Sequence, residues 1–236
     1  MAAAGPRVTV IIPALNEEQS IGRVLEAIPR ELDCDVVVVD NGSTDRTAEI
    51  ATEHGARVVR ESRRGYGTAC LRGIGALRRP EVVAFLDADF SDDPAMLGEL
   101  VRPILEDRAD LVIGSRTRGA REPGAMPPHA RFGNWLAGLI LTHLYRQPTS
   151  DLGPFRAIRF ACLGGLQMSD RGYGWTIEMQ AKAARLRLRT VEIAVPYRRR
   201  IGRSKISGSL WPSIKASGVI LATAVRLLWW RPSQGQ

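Results

Sequence analysis

Two aspartates separated by one residue are the feature of this sequence best suited to chemistry. Asp87 and Asp89 lie in FLDADFSDDP, at the end of the largely apolar run over 81–87. Side chains two apart on an extended backbone point to the same side, and neighbouring carboxylates repel each other unless a cation lies between them or one is protonated. Mg²⁺ and Mn²⁺ favour such oxygen ligands and also bind substrate phosphates. The pair predicts a divalent cation site, whereas we expect Asp92 and Asp93 to cap the following helix.

Alternating strands and helices would position these carboxylates. Short apolar runs predict five strands, at 7–13, 35–40, 56–59, 81–87 and 110–114. Apolar residues recur at helical spacing between the runs, as at Ile21, Val24, Leu25 and Ile28. Ser43 or Thr44 can cap the second helix, and Asp93 with Pro94 can begin a later one. The pattern predicts an α/β fold with a mostly parallel sheet, helices on both faces and a single domain.

Polar residues follow four of the predicted strands. They are Pro13, Asn16 and Glu17; Asp40, Asn41 and Gly42; Asp87 and Asp89; and Gly114, Ser115 and Arg116. Ligands of such sheets bind outside the carboxyl ends of the strands. One residue of this kind is commonly a turn or a cap, but four groups at the same edge predict a binding site.

The glycine-rich stretch over 65–75 does not match a dinucleotide fingerprint. The pattern G-x-G-x-x-G would need glycine at 70, where the chain has Cys70, and no G-x-x-x-x-G-K-[ST] occurs. NAD and P-loop functions are therefore poorly supported. Gly67 could still let the backbone approach a ligand closely.

The charge of the chain is unevenly distributed. It has 236 residues, 33 Lys+Arg, 25 Asp+Glu and a formal charge of +8. Between Arg185 and Arg231 there are eleven Lys+Arg and one acid, Glu192, which is typical of a segment that meets phosphate.

The three cysteines are far apart and form no C-x-x-C, so a disulfide scaffold or a cysteine zinc site is not expected. No apolar run reaches the length of a membrane span.

The order of five motifs carries a family resemblance. VIIPALNEE, VVVVDNGSTDRT, GYGTA followed by RG, FLDADFSDDP and GSR occur in that order. The sequence resembles the GT-A-fold, family-two glycosyltransferases over residues 8 to 208, and more narrowly the polyprenyl-phosphate (dolichyl-phosphate) mannosyl- and glucosyltransferases. The resemblance implies an inverting transfer of a hexose from UDP-glucose or GDP-mannose to a polyprenyl phosphate, with Mg²⁺ or Mn²⁺ as cofactor.

The resemblance also implies roles for individual residues. The segment that borders the nucleotide would contain Pro13, Leu15 and Glu17. Asp40 would contact the base or ribose, and Gly67 would belong to the nucleotide-sugar site. The D-x-D that holds the metal would be Asp87, Ala88 and Asp89. Arg116 and Arg131 lie near the transferred sugar and the acceptor phosphate, and Arg199, Ser204 and Lys205 close over the diphosphate. Mannosyl enzymes of the family often place glutamine two residues after the D-x-D, where this chain has Ser91.

The acceptor decides whether the enzyme needs a base. A phosphate acceptor is already an anion, whereas a hydroxyl acceptor requires a carboxylate base, for which Asp151 and Glu178 are the candidates. Glu178 could instead be a first-turn acid favoured by the helix dipole. We favour phosphate because it explains the basic segment.

Two apolar stretches favour a membrane acceptor. Residues 131–145 and 219–232 predict helices with Trp and Arg that lie either on an anionic membrane or against the domain. We therefore expect residues 1–116 to form a nucleotide-sugar half, 117–208 an acceptor half and 209–236 an amphipathic basic segment of a cytoplasmic protein, peripheral on the inner face of the cell membrane.

Two alternatives remain open: a glycosyltransferase with a soluble hydroxyl acceptor, and a non-enzymatic basic module that binds nucleic acid or membrane. The D-x-D argues against the second, so no nucleic-acid partner is expected.

Overall fold

A seven-stranded sheet lies at the centre of the fold. The computed structural model describes residues 7–202 and 210–232, the side chains of 210–217 excepted. The strands are β1 (Val8–Ala14), β2 (Cys34–Asp40), β3 (Arg57–Arg60), β4 (Val82–Phe85), β5 (Leu111–Ser115), β6 (Arg156–Arg159) and β7 (Thr190–Ala194). Their order is β3-β2-β1-β4-β6-β5-β7, and every neighbouring pair is parallel except those of β6. The predicted α/β class and mostly parallel sheet are confirmed.

The first five strands match the sequence prediction, but β6 and β7 were missed. β6 is a short strand, RAIR, whose apolar pair is bounded by Arg156 and Arg159, so it shows no apolar run. β7 is half-buried at the edge of the sheet, and its Glu192 interrupts the pattern. Both strands come from the expected acceptor half. That half and the expected nucleotide-sugar half therefore share one sheet.

Helices connect the strands in the expected alternation. They are α1 (Ile21–Glu26), α2 (Thr47–Glu53), α3 (Tyr66–Ile74), α4 (Leu97–Leu105), α5 (Pro128–Leu144), α6 (Phe160–Leu166), α7 (Trp175–Arg185) and α8 (Leu210–Arg226). The predicted cap of α2 is wrong: Asp45, not Ser43 or Thr44, accepts the amide of Thr47, at 3.0 Å. Asp93 does cap the 3-10 turn Pro94–Met96 that leads into α4.

The two faces of the sheet carry separate apolar cores, because strand residues alternate sides. Val10 and Ile12 of β1 lie in the core covered by α1, α2 and α4, whereas Ile11 lies in the core covered by α3, α6 and α7. Trp175 is fully buried in the second core and meets Phe85 edge-on, with 5.9 Å between ring centroids. Helices on both faces are therefore confirmed.

A third apolar cluster joins α5 and α8 to α7. Ala137, Leu141, Ala224 and Leu227 are buried in it, and Trp230 packs against it. The C-terminal segment thus lies against the domain, one of the two arrangements expected from the sequence. Among residues 7–202 and 210–232, none of the helices combines the length and hydropathy needed to span a bilayer.

Candidate active site

A cleft of about 380 Å³ opens at the carboxyl ends of β1, β2 and β4. Six residues expected near the nucleotide line it: Pro13, Leu15, Glu17, Asp87, Ala88 and Asp89. Asn41, Tyr66, Tyr173 and Arg200 line it as well. Asp40 ends β2 at the same edge, where its carboxylate accepts the amide of Ser43 at 2.9 Å. The topology therefore gathers residues far apart in sequence at the edge where parallel sheets bind ligands.

The two aspartates of the pair have different surroundings. The Tyr66 hydroxyl donates to Asp87 Oδ1 over 3.0 Å, yet burial, with a smaller contribution from the charge of Asp89, raises the pKa of Asp87 to about 7. The Oδ1 of Asp89 accepts the amide and hydroxyl of Ser91, at 2.9 and 2.5 Å. Ser91, which stands in the position where glutamine was expected, thus holds Asp89 in place.

These carboxylates fit a divalent cation. The raised pKa of Asp87 reflects a buried negative charge beside a second one, and a cation between them would remove that repulsion. Among the described residues, no group of three or more His, Cys, Asp or Glu side chains could hold a metal. A cation at Asp87 and Asp89 would therefore take its remaining oxygen ligands from substrate phosphates and water, as Mg²⁺ commonly does.

An arginine missed in the sequence joins the two sides of the cleft. Arg200 pairs with Glu17 Oε1 at 2.9 Å and with Asp89 Oδ2 at 3.2 Å. Its neighbour Arg199, expected at the diphosphate, instead donates to Pro123 O at 2.6 Å and lies against the 122–124 loop. Ser204 and Lys205 lie outside the described residues. Within the described part of the chain, Arg200 is the basic residue that forms ion pairs with Glu17 and Asp89.

The glycine-rich turn packs closely against the backbone at 170–171, and its Gly65 and Tyr66 also line the cleft. A Cβ on Gly67 would lie 2.1 Å from Asp170 O, and one on Gly65, whose φ is +145°, would lie 2.2 Å from Arg171 O. The Gly65 amide donates a hydrogen bond to Asn41 Oδ1 over 2.9 Å. Gly67 therefore supports the cleft by admitting the 170–171 backbone, and its role in the nucleotide-sugar site stays a prediction.

Arg116 is held in a paired, nearly buried arrangement at the end of β5. Its Nε and Nη2 donate to Asp151 at 3.0 and 2.7 Å, and its amide donates to the same carboxylate at 2.6 Å. Its guanidinium also lies 5.0 Å from the ring centroid of Tyr197. Although burial opposes the charge, Asp151 raises the pKa of Arg116 above its ordinary value. Asp151 is therefore half of an ion pair rather than an unengaged base.

Glu178 is also fully engaged. It is buried on α7, pairs with Lys182 Nζ at 2.8 Å, and accepts the Asp170 amide at 2.8 Å and the Ser169 hydroxyl at 2.8 Å. These contacts favour a structural role for Glu178 over a role as a base. Glu178 fixes the 169–171 loop, which packs on Gly65 and Gly67. A catalytic base at this position is not supported by its surroundings.

Asp92 differs from the helix-capping role expected for it. It is 1% exposed, and neither carboxylate oxygen has a hydrogen-bond partner among the described residues. Burial raises its pKa well above the ordinary value, although the charge of Arg116 acts in the opposite direction. Burial therefore disfavours the charged form of Asp92, and the side chain that caps the turn before α4 is Asp93.

A second cavity, of about 510 Å³, lies beside the Arg116–Asp151 pair at the start of α5. We call it the α5 groove. It is lined by Thr117 and Ser150, by the basic residues Arg121 and Arg131, and by the aromatic residues Phe132 and Trp135. Thr117 and Ser150 are the chain neighbours of Arg116 and Asp151, so the α5 groove lies next to the ion pair, and Arg131 lines the groove itself.

Comparison with known proteins gives the family of this fold and site. The family model described as glycosyl transferase family 2 matches residues 9–165. The chain belongs to this family. An uncharacterised glycosyltransferase of Mycobacterium tuberculosis is 43% identical over 216 residues, which cover 90% of this chain and 95% of that protein. The undecaprenyl-phosphate mannosyltransferase of Micrococcus luteus is 32% identical over 225 residues, which cover 86% of this chain and 89% of that protein.

A solved structure agrees in fold over nearly the whole chain of this glycosyltransferase. Glucosyl-3-phosphoglycerate synthase from Mycobacterium tuberculosis, in complex with Mn²⁺, UDP and glucosyl-3-phosphoglycerate, superposes with a TM-score of 0.76 at 26% identity. The match covers 97% of this chain and 82% of the synthase. The GT-A fold expected from the resemblance is therefore confirmed.

One further buried residue of the glycosyltransferase could not be found from sequence. Arg156 is fully buried in β6 and donates to carbonyls of Leu152, Gly153 and Thr176. Burial lowers its pKa to about 10. These bonds tie the loop that presents Asp151 to the first turn of α7. In sequence Arg156 was only one of many arginines, and its role depends on tertiary contacts.

Proposed function

We propose that this glycosyltransferase moves a hexose from a nucleotide sugar to a polyprenyl phosphate at an anionic membrane surface on the cytoplasmic side. The observation that carries the proposal is the α5 groove, which combines Arg121 and Arg131 with Phe132 and Trp135. Arginine suits a phosphate headgroup, and aromatic rings suit an apolar chain next to it. A purely hydrophilic acceptor would make no use of the aromatic wall.

The donor would occupy the cleft at Asp87 and Asp89. When bound there, Mg²⁺ or Mn²⁺ neutralises charge on the departing nucleoside diphosphate. Arg200 pairs with Asp89 and lines the same cleft, so it is well located to contact that diphosphate as well. Support for this donor site comes from the carboxylates themselves and from the Mn²⁺ and UDP in the related synthase.

The chemistry requires no protein base. An oxygen of the acceptor phosphate attacks the anomeric carbon, the bond from that carbon to the nucleoside diphosphate breaks, and the nucleoside diphosphate leaves with the electron pair. The resemblance implies inversion at that carbon. Asp151 and Glu178, the carboxylates considered as bases, are both held in buried ion pairs, which agrees with a nucleophile that is already anionic.

A transfer assay tests the proposal. The purified chain is given UDP-glucose or GDP-mannose, each radiolabelled in the sugar, with Mn²⁺ and a polyprenyl phosphate in detergent. We expect label from one donor to enter the lipid phase, and the rate to fall at least about 100-fold in Asp89→Ala, as for loss of a major electrostatic group. Asp92→Asn is the matched control, because Asp92 is a nearby buried carboxyl that does not line the cleft.

A soluble phosphorylated acceptor is the second candidate. It is favoured by the fold agreement with a synthase whose complex holds glucosyl-3-phosphoglycerate. The same assay with 3-phosphoglycerate separates the two. Label in that compound and none in the lipid would contradict the polyprenyl-phosphate proposal and support the second candidate.

A further inference from the structure

One face of α5 leaves large apolar side chains in solvent. Phe132 is 62% exposed, Trp135 58% and Leu139 39%. Residues spaced by three and four lie on the same side of a helix, so these three form one stripe. The rings of Phe132 and Trp135 also contact each other, with 5.8 Å between centroids. We call this set the α5 face.

The opposite side of α5 already supplies the packing that holds the helix on the domain. Ala137 and Leu141 are completely buried against α7 and α8, and the Tyr145 hydroxyl donates to Ala224 O. The α5 face is therefore additional apolar surface that the folded domain does not need for its own core. Contiguous exposed apolar surface of this kind marks an interaction site.

The charge around the α5 face selects its partner. No Asp or Glu occurs between Glu122 and Asp151, whereas Arg131 and Arg146 are exposed within that stretch and Arg121 is exposed just before it. Beyond Glu192 the chain has no acid at all. Aromatic and aliphatic side chains flanked by arginines fit the boundary between the headgroups and acyl chains of an anionic bilayer.

Other partners fit less well. A second copy of the chain, docked through the same face, would bring the same arginines together in a setting without acids to offset them. Nucleic acid would use the arginines but gains little from an exposed leucine and phenylalanine. We propose that the α5 face docks this glycosyltransferase on an anionic phospholipid bilayer.

Docking would also place the α5 groove correctly. Phe132 and Trp135 belong both to the face and to the groove, which Arg121 and Arg131 also line. With the face in the headgroup region, the mouth of the groove meets the level at which a lipid phosphate lies. The inference rests on the membrane acceptor proposed above, but vesicles without that acceptor test it separately.

Vesicle co-sedimentation of the full chain gives the test. Vesicles of phosphatidylcholine, with and without phosphatidylglycerol and free of polyprenyl phosphate, are compared. We expect binding to the anionic vesicles that weakens with added salt. The triple variant Phe132→Ser, Trp135→Ser, Leu139→Ser should bind roughly 100-fold more weakly, since apolar burial is lost. Leu144→Ser is the matched control: Leu144 is 51% exposed on the same helix but off the stripe, and its loss should leave binding unchanged.

A second variant keeps the test independent of any effect on folding. Trp135→Leu retains an apolar side chain, so binding should persist, while quenching of tryptophan fluorescence by brominated lipid should fall. Equal binding by the triple variant and the wild type would overturn the proposal. So would a concentration-dependent dimer, abolished by the triple variant, in a protein that ignores vesicles. Failure of lipid transfer in detergent, with vesicle binding intact, would instead contradict only the proposed acceptor.

Discussion

Removing the carboxylate of Asp151 should destabilise the protein strongly. Asp151 is completely buried, and its carboxylate receives three hydrogen bonds from Arg116, whose side chain is only 13% exposed. Asp151→Asn keeps the shape but leaves the guanidinium without its counter-charge. Breaking a buried ion pair from one side destabilises by about 3–5 kcal/mol. Because Arg116 retains some solvent contact and the Tyr197 ring, we expect the lower end, about 3 kcal/mol.

Urea unfolding measures this loss of unfolding free energy, and thermal unfolding measures the matching change in Tm, each followed by circular dichroism. For a chain of this size, about 3 kcal/mol corresponds to a fall in Tm of roughly 6–12 °C. Glu49→Gln is the matched control, since it removes one side of the surface pair with Arg46, where the side chains are 61% and 57% exposed. Surface pairs of this kind contribute at most about 1 kcal/mol.

The double variant Arg116→Met, Asp151→Leu separates pairing from packing. Removing both charges leaves neither one buried alone, so the double variant should recover much of the stability lost in Asp151→Asn. The reasoning would be refuted by an Asp151→Asn protein as stable as the Glu49→Gln control, because Asp151 would then not be the required partner of Arg116.

Three further predictions concern the sheet and the cleft. Gly67→Ala should lower Tm by several degrees because its Cβ would overlap the backbone at 170, whereas Gly98→Ala, with open space around it, should leave Tm unchanged or raise it. Asp110→Asn should destabilise at pH 7, because Arg189 lowers the pKa of Asp110 to about 2 from 3.8; that difference should shrink as the pH falls from 5 towards 2, measured by urea unfolding at each pH. Tyr66→Phe removes the hydrogen bond to the first aspartate of the pair, and calorimetry should report donor binding about 3- to 10-fold weaker.

Much of the fold could be predicted from local patterns. The five strands with apolar runs and the helices between them follow from the periods of 2 and 3.6 residues that buried faces impose. β6 could not be found in this way, since Arg156 is buried in a strand only through carbonyl groups supplied by a distant loop and helix. β7 lies at an edge, where its positions are half-buried, and Glu192 separates Val191 from Ile193, so the strand shows no continuous apolar run.

The candidate site was predictable where the chain itself sets the geometry. Asp87 and Asp89 share one strand end, so their proximity follows from spacing alone. Arg200 pairs with Glu17 across 183 positions, and nothing local distinguishes it from Arg199. For Asp151 and Glu178, the sequence shows an acid but not the cation that neutralises it, which is why both were considered as bases.

Donor binding tests the central claim that the cleft at Asp87 and Asp89 is the nucleotide-sugar site. Calorimetry would compare UDP-glucose, GDP-mannose and their nucleoside diphosphates, each with Mn²⁺ and with EDTA. We expect one donor to bind with Mn²⁺, to lose affinity in EDTA, and to lose it equally in Asp89→Ala but not in Asp92→Asn. Binding that persists unchanged in EDTA and in Asp89→Ala would contradict this account of the cleft.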